Sequence, residues 1–286
     1  MQRFRFQVSM NIVEALLVFI VGFAVGAPSA LVGLGGGFII VPILILVFQL
    51  PVNNAVAISL VAILGTTVSS TLGYIRQKRV DFKLGLLYDI LDVPGIVLGA
   101  YLTTVLPEYV LVVLCGVFIV FISALVVRQR RRHCSREEPD ANGAVARAKW
   151  KTSKIDSEGK TFRYALRSTP LALASSFLGG LVTGLSGLGG GITDVSTMML
   201  LGIPPHIAVA SSEFAMAITN GFGVLAHGFL NNILVEYALP LTLGTVVGAQ
   251  VGCLLAKRVE GKTIRGILSI IAFLAGLRLI LSAFAI

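Results

Sequence analysis

The pentapeptide Gly33-Leu34-Gly35-Gly36-Gly37 occurs a second time, as Gly187-Leu188-Gly189-Gly190-Gly191, about half the chain further on. We call Gly33–Gly37 break one and Gly187–Gly191 break two. The match extends upstream, since Phe23, Gly26 and Leu31 recur as Phe177, Gly180 and Leu185. Each glycine in a helix costs about 1 kcal/mol relative to alanine, so consecutive glycines predict an interrupted helix.

The composition is that of an integral membrane protein. The 286 residues are 56% hydrophobic and 13% charged, whereas soluble domains carry about 25% charged residues. The long apolar segments favour helices, because strands of a membrane barrel would be short and alternating. The net charge of +9 is concentrated between these segments, where it orients helices in the lipid bilayer. We therefore expect no nucleic-acid partner.

Apolar segments flank one basic stretch, which predicts a first membrane repeat over 1–127, a linker over 128–163 and a second repeat over 164–286. The low hydrophobicity of 128–163 favours a flexible cytoplasmic linker. The first segment, 12–32, follows arginines as a signal peptide would, but its recurrence in the second half favours a retained helix. The fold class is an all-α polytopic membrane protein with about 8–10 membrane segments, five per repeat. The expected segments are 12–32, 38–50, 55–74, 84–106, 110–127, 165–186, 192–201, 207–229, 235–256 and 267–286.

Basic loops indicate that the two repeats are inverted. Arg76–Arg79 is basic and its equivalent Asn231-Asn232 is not, whereas Pro107-Glu108 lacks basic residues and its equivalent Lys257–Arg265 has them. Because cytoplasmic loops are enriched in Lys and Arg, equivalent loops face opposite sides; Arg3 and Arg5 at the amino terminus disagree. Inverted repeats with broken helices are typical of secondary transporters, whose binding sites lie between the repeats. Gly244–Gly248 is taken as the equivalent of Gly95–Gly99.

The doubled glycine motif, each copy followed by a short apolar piece, a proline turn and an alanine-rich helix, resembles the TauE/SafE family of sulfite exporter-like permeases. The resemblance covers nearly the whole chain except the linker. It implies a substrate class of small sulfur-containing anions such as sulfite and organosulfonates. Neither composition nor spacing indicates that substrate.

The glycine breaks are the first candidate site. Exposed N–H groups and the positive end of the following helix would hold an anionic headgroup, although glycines also serve close helix packing. Ser186, Thr193 and Asn220 are candidate side-chain partners of the substrate, although Ser and Thr commonly bond their own helix. The candidate glycines are Gly33, Gly35, Gly36, Gly37, Gly187, Gly189, Gly190 and Gly191.

Carboxylates within membrane segments are costly and usually functional. Asp194 and Glu213 are therefore candidates for proton coupling. Asp89 and Asp92 lie in the fourth segment, where Asp89 is expected near the cytoplasmic boundary, and His227 is expected near the outer surface. The three cysteines have no metal or disulfide spacing, so no metal site and no cofactor are expected.

These observations predict a plasma (inner) membrane permease for a small anion, working by alternating access, with export as the expected direction. The alternatives are an anion channel and an uptake permease for another small anion. No nucleophile–base pair indicates an enzyme. A homo-oligomer is compatible with the sequence.

Overall fold

The computed structural model describes residues 11–33, 35–133, 150–157, 159, 161–166, 168–255, 270 and 273–281. The residues outside these ranges include Leu34, Arg3, Arg5, the loop Lys257–Arg265 and half of the last predicted segment. The helices of the first half are α1 (Ile12–Val32), α2 (Gly37–Leu46), α3 (Val52–Arg76), α4 (Phe82–Val105) and α5 (Glu108–His133). Strands β1 (Trp150–Ile155) and β2 (Thr161–Leu166) follow, then α6 (Thr169–Ser186), α7 (Gly191–Leu200), α8 (Pro205–Phe229) and α9 (Val235–Leu255).

Local sequence explains where several helices begin and end. The Asp81 carboxylate caps α4 by accepting hydrogen bonds from the N–H groups of Lys83 and Leu84, and Ser168 caps α6. Gly33 and Gly187 end α1 and α6 in the left-handed conformation, with φ of 74° and 65°. That conformation is the usual helix stop for glycine, so each break begins as a helix C-cap.

Six helices of the described chain are long and apolar enough to cross a membrane: α1, α3, α4, α6, α8 and α9. The ten-residue helices α2 and α7 each extend about 15 Å, half of a bilayer core of about 30 Å. The expected eight to ten spans are therefore met only in part. Helices α2 and α7 are too short to cross, the apolar part of α5 is the short stretch Glu108–Phe121, and half of the last predicted segment lies outside the described residues.

Helix packing is reciprocal between the two halves. Helix α1 lies against α9, and α6 lies against α4; α3 packs on α8 and α9, and α8 packs on α4. Glycines allow these helices to approach so closely that a side chain would not fit. A Cβ atom added to Gly26 would lie 2.5 Å from the carbonyl oxygen of Thr245, and a Cβ atom added to Gly248 would lie 2.5 Å from the carbonyl oxygen of Phe23. Each half thus builds its core with helices of the other.

The contacts correct one predicted equivalence by a helical turn. Gly95 meets the carbonyl oxygen of Phe177, and Gly248 meets that of the equivalent Phe23. Gly95 therefore corresponds to Gly248, not to Gly244, and by the same spacing Gly99 corresponds to Gly252. This alignment of α4 with α9 also pairs their first residues, Phe82 and Val235. It makes Asp92 the equivalent of Thr245.

An antiparallel hairpin of β1 and β2, with Trp150 opposite Leu166, docks on the α3–α4 turn. Arg79 and Asp156 form a buried salt bridge of 3.2 Å, and the Tyr164 hydroxyl donates to Asp81 Oδ2 at 2.7 Å. Burial, this hydrogen bond and the Asp81 charge raise the pKa of the Tyr164 phenol, which therefore stays a donor. Within the predicted linker 128–163, the described residues form the end of α5 and the two strands. The hairpin buries Phe162 and Tyr164 against the helices, so this part is ordered, while the cytoplasmic position of the linker stays a prediction.

Candidate functional site

The two glycine breaks meet in the interior of the protein. A Cβ atom on Gly37 would overlap the carbonyl oxygen of Gly187, and one on Gly191 would lie 2.6 Å from that of Gly33. Gly35 and Gly189 are also neighbours, since a Cβ on either would be 3.7 Å from the Cα of the other. The described glycines of both breaks are buried. Segments far apart in sequence thus form one contact at the centre of the fold.

Each break leads into the amino-terminal end of a short helix. The N–H groups of Ile39 and Ile40 donate to Gly36 O, and that of Asp194 donates to Gly190 O. Among the described residues, no backbone hydrogen bond outside the helices is donated by Gly35, Gly36 or Gly37, or by Gly189, Gly190 or Gly191. Unpaired N–H groups at a helix start favour an anion.

Two apolar side chains occupy the space beside the breaks. A Cβ on Gly35 would touch Ile63 Cγ2 and Met216 Sδ, both at 3.4 Å. Ile63 lies on α3, and Met216 is its equivalent on α8. Both are fully buried, so these side chains must move before a solute can contact the N–H groups.

Polar side chains of α1 and α3 surround the breaks. A Cβ at Gly36 would lie 2.6 Å from Ser29 Oγ, and this fully buried oxygen has no hydrogen-bond partner in the described structure. Ser59 donates to Gly187 O at 2.8 Å, so α3 of the first half positions break two. Ser29 is an additional donor beside the N–H groups of break one.

Three buried carboxyl groups lie beside break two. Asp89 and Asp92 come from α4 and Asp194 from α7, with 7%, 0% and 0% of their surface exposed. The Thr219 hydroxyl lies 2.7 Å from Asp89 Oδ1 and 2.9 Å from Asp92 Oδ2. A Cβ at Gly190 would be 3.4 Å from Asp194 Oδ2 and 3.6 Å from Asp92 Oδ2. We call Asp89, Asp92, Asp194 and Thr219 the carboxyl cluster.

The carboxyl cluster is electrostatically unfavourable in its fully ionised form. Two unit negative charges roughly 5 Å apart repel by about 3 kcal/mol at an effective dielectric constant of about 20. Both oxygens of Asp194, together with Asp89 Oδ2 and Asp92 Oδ1, have no hydrogen-bond partner among the described residues. Such groups are satisfied by taking up protons or a cation.

Glu213 forms a separate polar contact. It is fully buried on α8, and Ser70 of α3 donates to its Oε2 at 2.5 Å while Oε1 has no described partner. No hydrogen bond links Glu213 to Asp194 in the described structure, so the two candidates for proton coupling belong to different sites.

The predicted side-chain ligands are less exposed to a substrate than expected. The hydroxyls of Ser186 and Thr193 donate to Val182 O and Gly190 O, at 2.5 and 2.6 Å. Asn220 donates to Met216 O, and its Oδ1 is buried without a described partner. Only Asn220 therefore retains an unused polar atom; its role, like those of the glycines, stays a prediction.

Sequence reasoning did not anticipate the burial of Asp89 and His227. Asp89 is buried because α4 lies between α6 and α8. His227, in the last turn of α8, is fully buried with a ring nitrogen 3.4 Å from Gly184 O. Their expected positions near the membrane boundaries stay predictions. The i, i+3 spacing of Asp89 and Asp92 places both on one helix face and is the signal in the sequence from which a pair could have been predicted. Among the described residues, there is no group of three or more His, Cys, Asp or Glu side chains that could hold a metal ion.

The family model described as "Sulfite exporter TauE/SafE" matches residues 18–279. This chain belongs to the TauE/SafE family. The "Probable membrane transporter protein YunE" of Bacillus subtilis is 32% identical over 93% of this chain and 97% of its own length. No solved structure is significantly similar to the chain.

Two further relatives are less similar to the chain. The "Probable membrane transporter protein MJ0441" of Methanocaldococcus jannaschii is 25% identical over 93% of this chain and 95% of its own length. The "Sulfite exporter TauE/SafE family protein 3" of Arabidopsis thaliana is 22% identical over 96% of this chain and 78% of its own length. This TauE/SafE chain is thus a multi-pass membrane protein whose relatives are named as probable membrane transporters or as TauE/SafE family proteins.

Proposed function

We propose that this protein carries a small sulfur-containing anion, such as sulfite or an organosulfonate, across the plasma membrane by alternating access. The observation that carries the proposal is the meeting of two glycine breaks, whose N–H groups lack backbone partners, at the centre of the fold. The family description supports the sulfur substrate. The breaks are also where two repeats contact each other, which is where transporters with repeats bind substrate.

The anion binds at break one in this proposal. Gly36 and Gly37 start α2, whose positive end favours a negative charge, and Ser29 adds an unpaired hydroxyl. The residue equivalent to Asp194 is Ile40, so break one has no carboxylate at this position to repel an anion. Break two contributes its N–H groups, but its carboxyl cluster makes it the poorer half for a negative charge.

Alternating access requires the two halves to move relative to each other. The side chains of Ile63 and Met216 fill the space between the breaks and must move aside for a substrate. The reciprocal packing of α1 on α9 and of α6 on α4 forms two similar helix bundles that can rotate relative to each other. Inverted repeats give such motions two equivalent end states. The basic turn Arg76–Arg79, with the hairpin docked on it, is assigned to the cytoplasmic side.

Export is the direction that the membrane potential favours. An inside-negative potential favours exit of an anion by about 2.3 kcal/mol per charge per 100 mV, so export needs no coupled ion. A second candidate function, proton-coupled uptake, is favoured by the buried carboxyls Asp194 and Glu213, because inward movement of an anion must be driven.

Flux in proteoliposomes tests the proposal. Purified full-length protein is reconstituted, and the movement of sulfite, sulfate and several alkylsulfonates is measured with and without gradients of potential and pH. Saturable flux of at least one sulfur anion is expected, and no flux of any of them would overturn the substrate assignment. Single-channel currents would instead show that the protein is an anion channel.

Ser29→Ala tests the anion site itself. Loss of the hydroxyl is expected to raise the KM for the anion severalfold with little change in folding, because the oxygen has no partner to lose. Ser123→Ala is the matched control: Ser123 Oγ is also buried and without a described partner, but it lies on α5. Equal effects of the two substitutions would argue against break one as the site.

A further inference from the structure

The carboxyl cluster contains more hydrogen-bond acceptors than donors. Thr219 has a single hydroxyl proton, yet its oxygen lies within hydrogen-bonding distance of both Asp89 and Asp92. If both carboxyls were ionised, one of these contacts would join two acceptors with no proton between them. A proton on one carboxyl resolves the geometry: that carboxyl donates to Thr219 Oγ1, and Thr219 donates to the other.

A second observation points to a bound proton. Asp194 is fully buried, and neither of its oxygens has a partner in the described structure. The point that a Cβ of Gly190 would occupy lies 3.4 Å from Asp194 Oδ2, and 3.6 Å from both Asp92 Oδ2 and Thr183 Oγ1. Polar atoms from α4, α6 and α7 therefore converge on one small space beside break two.

The elements packed against the cluster bring no compensating cation. Tyr88 of α4 interacts electrostatically with Asp194, and its buried hydroxyl has no described partner. Helix α6 contributes Thr183 and no titratable side chain. On α8, Glu213 contacts Ser70, and His227 contacts Gly184 O and Asn232. The salt bridge found in the described chain, Arg79–Asp156, does not involve the cluster.

We infer that break two holds a proton-binding site in which Asp89 and Asp92 share a proton through the Thr219 hydroxyl, with Asp194 as a third carboxyl that takes up a proton when an anion binds. The proton comes from water and binds a carboxylate oxygen, so no bond other than an O–H bond forms or breaks. A proton is preferred to a metal ion because the described acidic side chains do not form a metal-binding group.

The link to the anion rests on the proposed function. Gly35 of break one and Gly189 of break two are in contact, so a charge at one break acts on a charge at the other through a short, buried path. Protonation of the cluster removes negative charge and thereby favours an anion at break one. Because coupling is reciprocal, the anion must favour protonation to the same extent.

Infrared titration of the purified full-length protein tests the proton site without any substrate. Protonated and ionised carboxyl groups absorb at different frequencies, so the wild type is expected to retain a protonated aspartic acid at neutral pH. Asp92→Asn should remove that band or change its titration. Thr219→Val should shift its midpoint, and Thr219→Ser, which keeps the hydroxyl, should restore it.

Thr66→Val is the matched control for Thr219→Val. Thr66 is the equivalent residue on α3, is equally buried, and donates only to Ala62 O, so this variant should titrate like the wild type. If all aspartates are ionised at neutral pH, or if Thr219→Val and Thr66→Val titrate alike, the inference is overturned. A response to sodium at fixed pH, against choline, would overturn the choice of a proton.

Binding of methanesulfonate, which stays ionised at all the pH values used, tests the coupling. The affinity is expected to rise about fivefold or more as the pH is lowered from alkaline to mildly acidic, and this rise should be lost in Asp194→Asn. If methanesulfonate and other sulfur anions fail to bind, the proposed function fails while the infrared result stands. Binding without pH dependence overturns the coupling alone.

Discussion

At break one, Thr66 of α3 and Thr245 of α9 both donate to the carbonyl oxygen of Ala62, at 2.9 and 3.0 Å. At break two, the residue equivalent to Thr66 is Thr219, which lies between two carboxyls of α4. The equivalents of Asp89, Asp92 and Asp194 at break one are Thr242, Thr245 and Ile40. The same backbone arrangement is therefore neutral in one half and acidic in the other.

Under the proposed function, this difference gives the two breaks separate tasks. A helix start without nearby carboxylates suits an anion, whereas buried carboxyls without cations suit a proton. A symmetric pair of anion sites would need neutral surroundings at both breaks. Substitutions at one break and then at the other therefore test the comparison.

Gly37→Ala and Gly191→Ala should have the largest effects, and similar ones. The new methyl group would overlap Gly187 O or lie 2.6 Å from Gly33 O, and neither backbone can move without separating the breaks. We expect losses of stability of about 4 kcal/mol or more, above the usual range of about 1–3 kcal/mol for overpacking because the clash is with backbone, measured by thermal unfolding in detergent. Gly221→Ala, where the nearest atom would be 4.0 Å away, should keep wild-type stability; wild-type behaviour of both break variants would refute the contact.

Ile40→Asp places a carboxylate where break one has none. Ile40 is buried in the apolar core, so the substitution should cost about 2.5–3.5 kcal/mol, again read from thermal unfolding. Removing the charge at the equivalent position of break two, by Asp194→Asn, should cost much less because the carboxyl has no described partner to lose. Comparable losses in the two variants would mean that the surroundings of the breaks do not differ in the way described.

The interruption of two helices at the glycine runs, where α1 ends at Gly33 and α6 at Gly187, was predictable from sequence because consecutive glycines disfavour a helix. The burial of Asp89 was not predictable, because it depends on α4 lying between α6 and α8, and these contacts join distant parts of the chain. The equivalence of Gly95 with Gly248 also required coordinates. Gly244, Gly248 and Gly252 recur at every helical turn, so the sequence fits two registers equally well.

Gly36→Ala and Gly190→Ala should differ, although both are third glycines of their breaks. Gly36 has φ of 86° and its Cβ would approach Ser29 Oγ at 2.6 Å, so alanine should cost about 1–2 kcal/mol. Gly190 has φ of −64° and room for a methyl group, so alanine should change stability by no more than about 0.5 kcal/mol. The Gly190 variant should nevertheless alter the infrared titration, since the methyl group enters the carboxyl cluster; an unchanged titration would show that this space is not used.

Ser59→Ala and Ser212→Ala give the smallest expected difference and isolate a single hydrogen bond. The two serines are equivalent positions on α3 and α8, and both are fully buried. Ser59 donates to Gly187 O at 2.8 Å, whereas Ser212 Oγ has no described partner. Removing the first hydroxyl should cost about 1 kcal/mol, and removing the second should be neutral or slightly stabilising, because an unsatisfied polar atom is lost. Thermal unfolding of the two variants side by side measures the difference. A larger loss in Ser212→Ala would mean that Ser212 makes a contact in the membrane that break one needs, and the two halves would then be more alike than their described hydrogen bonds indicate.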